Sequence, residues 1–275
     1  MERKLPGVYP ATKKDGTTYY RASLTHNRKH ISLGSFSSAE TAHAAYLDAD
    51  KLLRNSMLSI DDYSKESTPL SFEKWVCLVN LRDNRIYIHT PIYLRSNFFY
   101  YYLSQKMVLK FDIDDLFYYS SHKIMRRNGH LFVSDYGMQV NILNRYGIKN
   151  YGVCGRDYRF INGDSNDFRY ENIEIINRFF GVSRLEGNGK LLYRTKIHIN
   201  GDYLVGTYET ETEAAIAYNK AIDCVKKAGV NKNFTPNFID SVSASMYADI
   251  YSSLKISPKI EHFEQGSHTS VQNNR

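Results

Sequence analysis

A short sequence pattern occurs twice in this chain of 275 residues, once near each end. The first copy begins at Gly7 and the second at Gly181. An internal repeat marks one supersecondary unit that the chain uses twice, so it constrains the fold more than any other feature of the sequence. The copies align without a gap over their second halves, which equates Gly34, Phe36, Ala42, Ala45, Tyr46 and Ala49 with Gly206, Tyr208, Ala214, Ala217, Tyr218 and Ala221.

Each copy contains a predicted β-hairpin followed by a predicted helix. The β-prone runs "TYYRASL" and "KHISLGSF" are joined by a polar turn, and "LLYRTKIHI" and "YLVGTY" are joined by "NGD". Ser38 and Thr210 stand where a helix N-cap is expected, and Glu213 completes a capping box with Thr210. The aligned alanines and tyrosine then recur at i, i+3, i+4 and i+7, which is one face of a helix, and alanine lets that face lie close to a sheet.

Strand alternation predicts which side chains of each hairpin face away from the helix. If Tyr20, Ala22 and Leu24 face the helix, the outward residues of the first copy are Arg21, Ser23, Thr25, His30 and Ser32. The same parity buries alternate residues of the second copy and turns outward Arg194, Lys196 and His198. We therefore expect both outward faces to be polar and basic.

These features resemble the Apetala2/ethylene-response-factor type of DNA-binding domain, a three-stranded antiparallel sheet backed by one helix. The resemblance covers residues 5–54 and 179–235, and it depends on the initial Gly-Val, on Leu-Gly-Ser-Phe or Val-Gly-Thr-Tyr, on the alanine-rich helix with Tyr46 or Tyr218, and on Asn233-Phe234. It implies that the sheet, rather than a helix, enters the major groove of DNA. In the first copy it implies contacts by Tyr9, Arg21, Ser23, Thr25, His30 and Ser32. In the second copy it implies contacts by Ser183, Arg194, Lys196, His198 and Leu204.

The contact positions depart from the plant type of this family. They carry serine, threonine and an aliphatic residue where the plant type usually has several arginines and a tryptophan, so its base preference does not transfer. Arg21, Arg194 and Lys196 are the residues that we expect to read guanine or bind phosphate.

The distribution of charge favours nucleic-acid binding by the repeats. The net charge is +7, from 36 Lys and Arg against 29 Asp and Glu. Residues 1–54 hold nine basic and five acidic side chains and residues 178–235 hold nine and six, whereas residues 55–177 are nearly neutral. Basic charge collected in the repeats is the electrostatic footprint of a phosphate-binding surface. We therefore expect double-stranded DNA as the partner, and allow for a protein partner in a transcription or DNA-processing complex.

The segment between the repeats is rich in tyrosine and phenylalanine, as in "IYIHTPIYLRSNFFYYYLSQ" and "DLFYYSSHKIM". Aromatic side chains interleaved with basic ones are either stacking platforms for unpaired bases or parts of a core. Because these runs alternate with aliphatic residues and the segment is nearly neutral, we interpret them as core.

The end of this segment, "FINGDSNDFRYENI", resembles the C-terminal half of an HNH nuclease of the phage and homing type. The residues that fit the family pattern are Asn162-Gly163, Arg169, Glu171-Asn172 and Ile173. An HNH site also needs a histidine base to activate water, and His or Asn ligands that hold a divalent metal beside the scissile phosphate.

The same stretch lacks side chains that this chemistry requires. Phe160 replaces the histidine of the pattern, Phe168 replaces an asparagine, and Asn141 lies nearest to the expected place of the catalytic histidine. We therefore predict a catalytically silent scaffold that is not an enzyme, with no catalytic residue, no metal and no cofactor. A different metal site would have to draw on residues that are more typical of turns, namely His130, Asp135, Asn162, Asp164 and Asn172.

Cysteine usage and hydropathy limit the cellular context. Cys77, Cys154 and Cys224 are odd in number and lack metal-ligand spacing, which indicates reduced thiols and a cytoplasmic protein. We find neither a leader peptide pattern nor an apolar run of the about 20 residues that a membrane span needs.

The predicted fold class is α+β: two small domains, each a three-stranded antiparallel sheet plus a helix, flank an α+β HNH-like central domain. The predicted segments are residues 1–60, 61–177, 178–240 and 241–275, the last of which holds a terminal helix and a disordered tail from Gly266.

We interpret the chain as a sequence-specific DNA-binding protein that recognises a bipartite site. Its expected context is a bacterial, phage or plasmid mobile element, and its expected role is transcription regulation or accessory DNA processing. One alternative is an active HNH homing-type endonuclease, because the Asn-Gly and Glu-Asn elements of the pattern survive. Another is a protein-interaction adaptor that kept the fold without binding DNA.

Overall fold

The computed structural model describes residues 5–187 and 189–264. The chain divides into two compact units, one of Met1–Ile142 with Phe160–Ile173 and the other of Leu143–Arg159 with Glu174–Arg275. The first unit contains the first repeat and the second unit contains the second repeat. The predicted segment boundaries after residues 60, 177 and 240 stay predictions.

The first repeat forms a three-stranded antiparallel sheet followed by a helix. Strands β1 (Val8–Thr12), β2 (Thr18–His26) and β3 (Lys29–Phe36) lie in the order β1-β2-β3, and helix α1 (Ala39–Arg54) comes next. The predicted N-cap is confirmed, because Ser38 accepts a hydrogen bond from a backbone amide of the first turn of α1. Such a bond satisfies a donor that has no partner inside the helix.

Helix α1 lies against the sheet through small side chains. Ala42, Ala45 and Ala49 are completely buried, as the helical spacing predicted. The same core continues into the segment after the repeat, since Leu52 of α1 and Leu78 belong to one cluster of buried residues. This shared core adds apolar contacts that a unit as small as one repeat lacks on its own.

The rest of the first unit adds two helices and two more three-stranded antiparallel sheets, β4-β5-β6 and β7-β8-β9. The elements are α2 (Phe72–Asn84), β4 (Ile92–Leu94), β5 (Phe98–Ser104), β6 (Met107–Asp112), α3 (Leu116–Ser121), β7 (Ile124–Arg127), β8 (His130–Asp135) and β9 (Met138–Asn141).

The aromatic runs of the central segment supply a core. Phe99, Tyr101, Phe111 and Tyr119 are completely buried, and the ring centroids of Phe111 and Tyr119 lie 4.4 Å apart. Their interpretation as core is therefore confirmed. Phe117 of the same runs is the exception, because 89% of it is exposed.

The second repeat reproduces the sheet and helix of the first. The chain passes between the units at β10 (Tyr158–Phe160) and β11 (Ile173–Ile175), which pair with each other. The repeat follows as an antiparallel sheet and a helix, formed by β12 (Val182–Gly187), β13 (Lys190–His198), β14 (Asp202–Tyr208) and α4 (Glu211–Lys227). Thr210 and Glu213 form the predicted capping box of α4.

The C-terminal segment packs on the second repeat. It contains α5 (Ala244–Ser253), which confirms the predicted terminal helix, and the single turn α6 (Pro258–Glu261). Ile260 is completely buried in the core of this repeat, and the Ser257 amide donates to the Val205 carbonyl at 2.7 Å. The predicted disordered tail lies outside the described residues.

The observed class is a mixed α+β fold with several small three-stranded antiparallel sheets. Among the described residues, no helix combines the length and the apolar composition that crossing a membrane requires.

Candidate nucleic-acid interface

Each repeat begins with a glycine whose backbone supports the middle strand. Gly7 and Gly181 have φ of 75° and 71°, a region that glycine occupies at little cost. The Gly7 carbonyl accepts a hydrogen bond from the Ser23 amide at 3.0 Å, and the Gly181 carbonyl accepts one from Lys196 at 2.8 Å. A Cβ at either glycine would overlap the ring of the aligned helix tyrosine. The glycine and the tyrosine of the repeat are therefore a packing pair.

Both sheets contain the same irregularity. In the first repeat Ala22 pairs with Gly34 and Ser23 pairs with Ser32, so β3 has one extra residue at Leu33. In the second repeat the pairing skips Val205, the residue aligned with Leu33. A β-bulge of this kind bends a strand and increases its twist. The pairing of the middle strand with the third strand around the bulge is therefore the same in both repeats.

The outward face of the second repeat matches the prediction from alternation. Arg194, Lys196 and His198 are exposed, while Thr195 and Ile197 between them are completely buried. The two other predicted contact residues, Ser183 and Leu204, are also exposed and stand beside β13 on the flanking strands. Ser183 pairs with Arg194, and Leu204 pairs with Lys196. The five predicted residues thus form one patch.

Two cations of this patch lack a carboxylate partner. Among the described residues, neither Arg194 nor Lys196 has an acidic side chain within ion-pair distance. Their neighbour His198 differs, because its Nδ1 lies 2.8 Å from Asp202 Oδ1, and the hydrogen bond from His198 lowers the pKa of Asp202. Arg194 therefore has no carboxylate partner on this face among the described residues, whereas the charge of Lys196 also helps to lower the pKa of Asp202.

The outward face of the first repeat carries one ordered cation. Tyr9, which is 52% exposed, pairs with exposed Arg21, and exposed Thr25 pairs with exposed His30. The Arg21 guanidinium donates two hydrogen bonds to the Tyr19 hydroxyl, at 2.8 and 3.2 Å. The guanidinium is thus held along the strand by a hydroxyl group rather than by a carboxylate.

One predicted contact residue is not accessible. Ser23 is only 6% exposed, so the expectation that it stands open to solvent is wrong, whereas its pairing partner Ser32 is exposed. Ser23 lies on the middle strand at the point where the bulge changes the pairing, and its amide is bonded to the Gly7 carbonyl. The longer side chain of the aligned Lys196 is exposed at the same position.

Three residues of the interface were not predicted from strand alternation. Ser35 pairs with Arg21 and Thr207 pairs with Arg194, and both are exposed on the third strand of their sheet. Tyr19 was missed as the partner of Arg21. A period of two along β3 and β14 would not have found the first two, because the bulges at Leu33 and Val205 shift the alternation by one residue. Only the pairing itself identifies them, since a residue directly opposite an outward one faces outward as well.

Aromatic packing occupies the two positions at which the sequence departs from the nuclease pattern. Phe168, which stands where the pattern has an asparagine, is 4% exposed and stacks on Phe111 at a centroid distance of 5.4 Å. Phe160, in the place of the histidine, meets Phe168 edge to face at 5.6 Å. Phe111, Phe160 and Phe168 therefore form a small aromatic cluster.

The polar residues of this stretch bind one another. Asn172 is 3% exposed, its side-chain oxygen accepts from the Asn162 amide at 2.8 Å, and its side-chain nitrogen donates to the Asp167 carbonyl at 2.8 Å. The Arg169 guanidinium donates to both carboxylate oxygens of Asp167. Burial alone would raise the pKa of Asp167, but the hydrogen bonds from Arg169 outweigh it and lower this pKa. These contacts fix a loop, as expected for turn-forming residues.

Of the five residues weighed as a metal site, Asn162, Asp164 and Asn172 lie in one loop and bond to one another, whereas His130 and Asp135 lie on β8. Within the described parts of the chain, no group of three or more His, Cys, Asp or Glu side chains is close enough to hold a metal ion. Asp135 faces His122 at 3.6 Å, and His130 is exposed on β8. The predicted absence of catalysis stays a prediction. Comparison with family models, with curated proteins and with solved structures gave no match.

Proposed function

We propose that this chain is a sequence-specific double-stranded DNA-binding protein that contacts DNA through the outward faces of β1–β3 and β12–β14. One observation carries the proposal. Two sheets with the same bulge place an arginine at the same position of the middle strand, Arg21 and Arg194, without a carboxylate partner among the described residues. A repeated surface of this kind is expected where the same type of ligand is bound twice.

The chemistry of the exposed side chains suits a major groove. A two-stranded or three-stranded sheet fits the groove, arginine or lysine binds the O6 and N7 acceptors of guanine, and serine or threonine bonds to either base edges or phosphates. Lysine and arginine on the same face release counterions from the duplex, which supplies affinity that does not depend on sequence. Leu204 offers an apolar contact of the kind that recognises the methyl group of thymine.

We also propose that Phe160–Ile173 is a scaffold without nuclease activity, because aromatic packing occupies its two substituted positions. The role that we propose is that of a transcription regulator or DNA-processing accessory factor of a mobile element, acting in the cytoplasm, where the free thiols of its three cysteines would stay reduced. Incubation of the protein and its duplex with magnesium or manganese should then produce no nicking. Cleavage that is lost in Asn172→Ala would instead support the endonuclease alternative.

The first prediction tests the proposed face. Replacing Arg194 and Lys196 together by alanine should weaken binding to the selected duplex by about 1 to 3 kcal/mol for each good base contact, as measured by gel-shift titration. The matched control replaces Lys226 and Lys227 in the last turn of α4 by alanine, which removes the same charge from the same repeat.

The control variant should bind nearly as well as the unchanged protein, because its lysines lie on the helix and not on the sheet. Equal losses in both variants would mean that only net charge matters, and the assigned face would be wrong. A salt series separates the adaptor alternative, since the logarithm of the binding constant falls linearly with the logarithm of salt concentration only when phosphates are contacted.

A further inference from the structure

The sheet β7-β8-β9 in the first unit carries a basic surface in addition to those of the two repeats. Its first hairpin turns at Asn128 and Gly129, both of which have positive φ, and this Asn-Gly turn fixes the geometry of the tip. Arg126 and Arg127 precede the turn and are exposed. Because successive side chains of a strand point to opposite faces, the hairpin tip carries Arg127 on the face of His130 and Arg126 on the other face.

One face of this sheet collects hydrogen-bond donors. Arg127 pairs with His130 and Ser134 pairs with Gln139, and directly opposite residues share a face of a sheet. Beside the tip this face forms a shallow basin of about 340 Å³. Its lining includes guanidinium, imidazole and amide groups and no carboxylate among the described residues, the polar members being Arg127, Asn128, His130, Gln139 and Asn141.

The charge of the hairpin is not neutralised from within. Neither arginine of the tip has a carboxylate within ion-pair distance in the described parts of the chain, and Arg126 donates only a long contact to the Met107 sulfur, at 3.6 Å. The acidic residue of this sheet, Asp135, faces His122. Because an arginine fork matches the geometry of phosphate oxygens, an unpaired basic tip beside amide donors is complementary to a phosphodiester backbone.

We propose that the β7–β9 sheet is a third DNA-contacting surface, which binds the phosphate backbone of the same duplex through the two arginines of its tip, Arg126 and Arg127, and through the basin beside Arg127. The inference rests on the proposed function and extends it, because it assigns sequence-independent affinity to the central segment. The repeats would read bases, and this hairpin would bind phosphate.

The experiment compares two double variants of the full chain on the selected duplex. Arg126→Gln with Arg127→Gln should reduce the steepness of the salt dependence by about 0.9 for each phosphate that the variant no longer binds. The affinities of this variant for the specific duplex and for random duplexes should fall by the same factor. The control, Lys51→Gln with Arg54→Gln, removes the same charge from exposed positions of α1 and should leave the salt slope unchanged.

Circular dichroism and the urea midpoint establish that each variant is folded. If the folded Arg126 and Arg127 variant has the same salt slope as the unchanged protein, the proposal of a third DNA-contacting surface is wrong. The same result is expected if the hairpin tip binds an acidic protein instead of DNA. That result would leave the proposed function intact if the Arg194 and Lys196 variant still loses affinity. If the unchanged protein does not bind duplex DNA at all, the proposed function itself fails.

Discussion

At the scale of single residues, the repeat is defined by a glycine as much as by its helix. Gly181 combines a positive φ with the ring of Tyr218 directly beside it, whereas Gly189 has the same φ of 71° and open space around it. The sequence identified the glycine and the tyrosine as shared features. It did not predict that they touch, because their contact depends on how the helix crosses the sheet.

The two glycines allow conformation and packing to be measured separately. Gly189→Ala should cost about 1 to 2 kcal/mol of unfolding free energy, the usual penalty of a left-handed conformation for alanine. Gly181→Ala should cost about 1 to 3 kcal/mol more, because the new methyl group overlaps Tyr218 and the strand backbone. Urea unfolding of both variants measures the two losses of unfolding free energy. Equal losses would mean that the Tyr218 ring moves aside without cost.

Asp167 gives a prediction that depends on pH. Its pKa in the folded protein lies below the ordinary value of 3.8, so its bonds to Arg169 stabilise the protein above that pH and are lost as the pH falls through the lowered pKa. Asp167→Asn should therefore destabilise the protein by about 2 to 3 kcal/mol at pH 7, where charged hydrogen bonds are removed. The difference from the unchanged protein should shrink below pH 4 in urea titrations. A constant difference at both pH values would assign the effect to shape rather than charge.

At the scale of elements, local rules predicted the repeats well. Caps at Ser38 and Thr210, the buried alanines of α1 and the alternation along β13 were all confirmed, because each depends on a few neighbouring residues. The bulge at Leu33 was not predicted, since an aliphatic residue in a strand gives no sign that its pairing will be skipped. The burial of Ser23 next to that bulge was missed for the same reason.

The β7–β9 sheet was not predicted, although the sequence contains a signal for it. Asn128-Gly129 between short apolar runs is a strong hairpin pattern. The residues around this turn were compared only with the nuclease pattern, and the hairpin rule was not applied to them. The geometry of the loop that contains Asn172 and Asp167 could not be predicted for a different reason. The hydrogen bonds of these two side chains depend on the path of the surrounding backbone.

The C-terminal segment provides a prediction at this scale. Ile260 lies on a helix of a single turn, yet it is completely buried in the core of the second repeat. Ile260→Ala should lower the unfolding free energy by about 2 kcal/mol, near the low end for such a cavity because the segment is able to relax. Exposed Lys259→Ala on the same turn is the control and should stay within about 0.5 kcal/mol. Thermal unfolding of both variants would reveal no difference if the segment were only loosely attached.

At the scale of the whole molecule, duplication has an energetic consequence. Each sheet offers few cationic contacts, so one repeat alone should bind weakly. If both sheets bind one duplex, as we propose, covalent linkage makes the second contact intramolecular, and the joint affinity should exceed that of either module by about 10² to 10⁴ without new interactions. The proposed phosphate contacts of the β7–β9 hairpin would add further affinity to that of the base-reading sheets. They would not lengthen the DNA sequence that the protein recognises.

The last prediction concerns the form of the recognised site. Selection from random duplexes followed by footprinting should give two protected half-sites, of which Arg21→Ala weakens one and the double alanine variant at Arg194 and Lys196 weakens the other. Each variant should then bind the full duplex more weakly than the unchanged protein does, but at least as well as the unchanged protein binds a duplex with one half-site, because the variant weakens the intramolecular binding step that the missing half-site removes. If a single half-site supports the full affinity of the unchanged protein, the two sheets do not act on one DNA molecule, and the repeat would have to serve two separate partners.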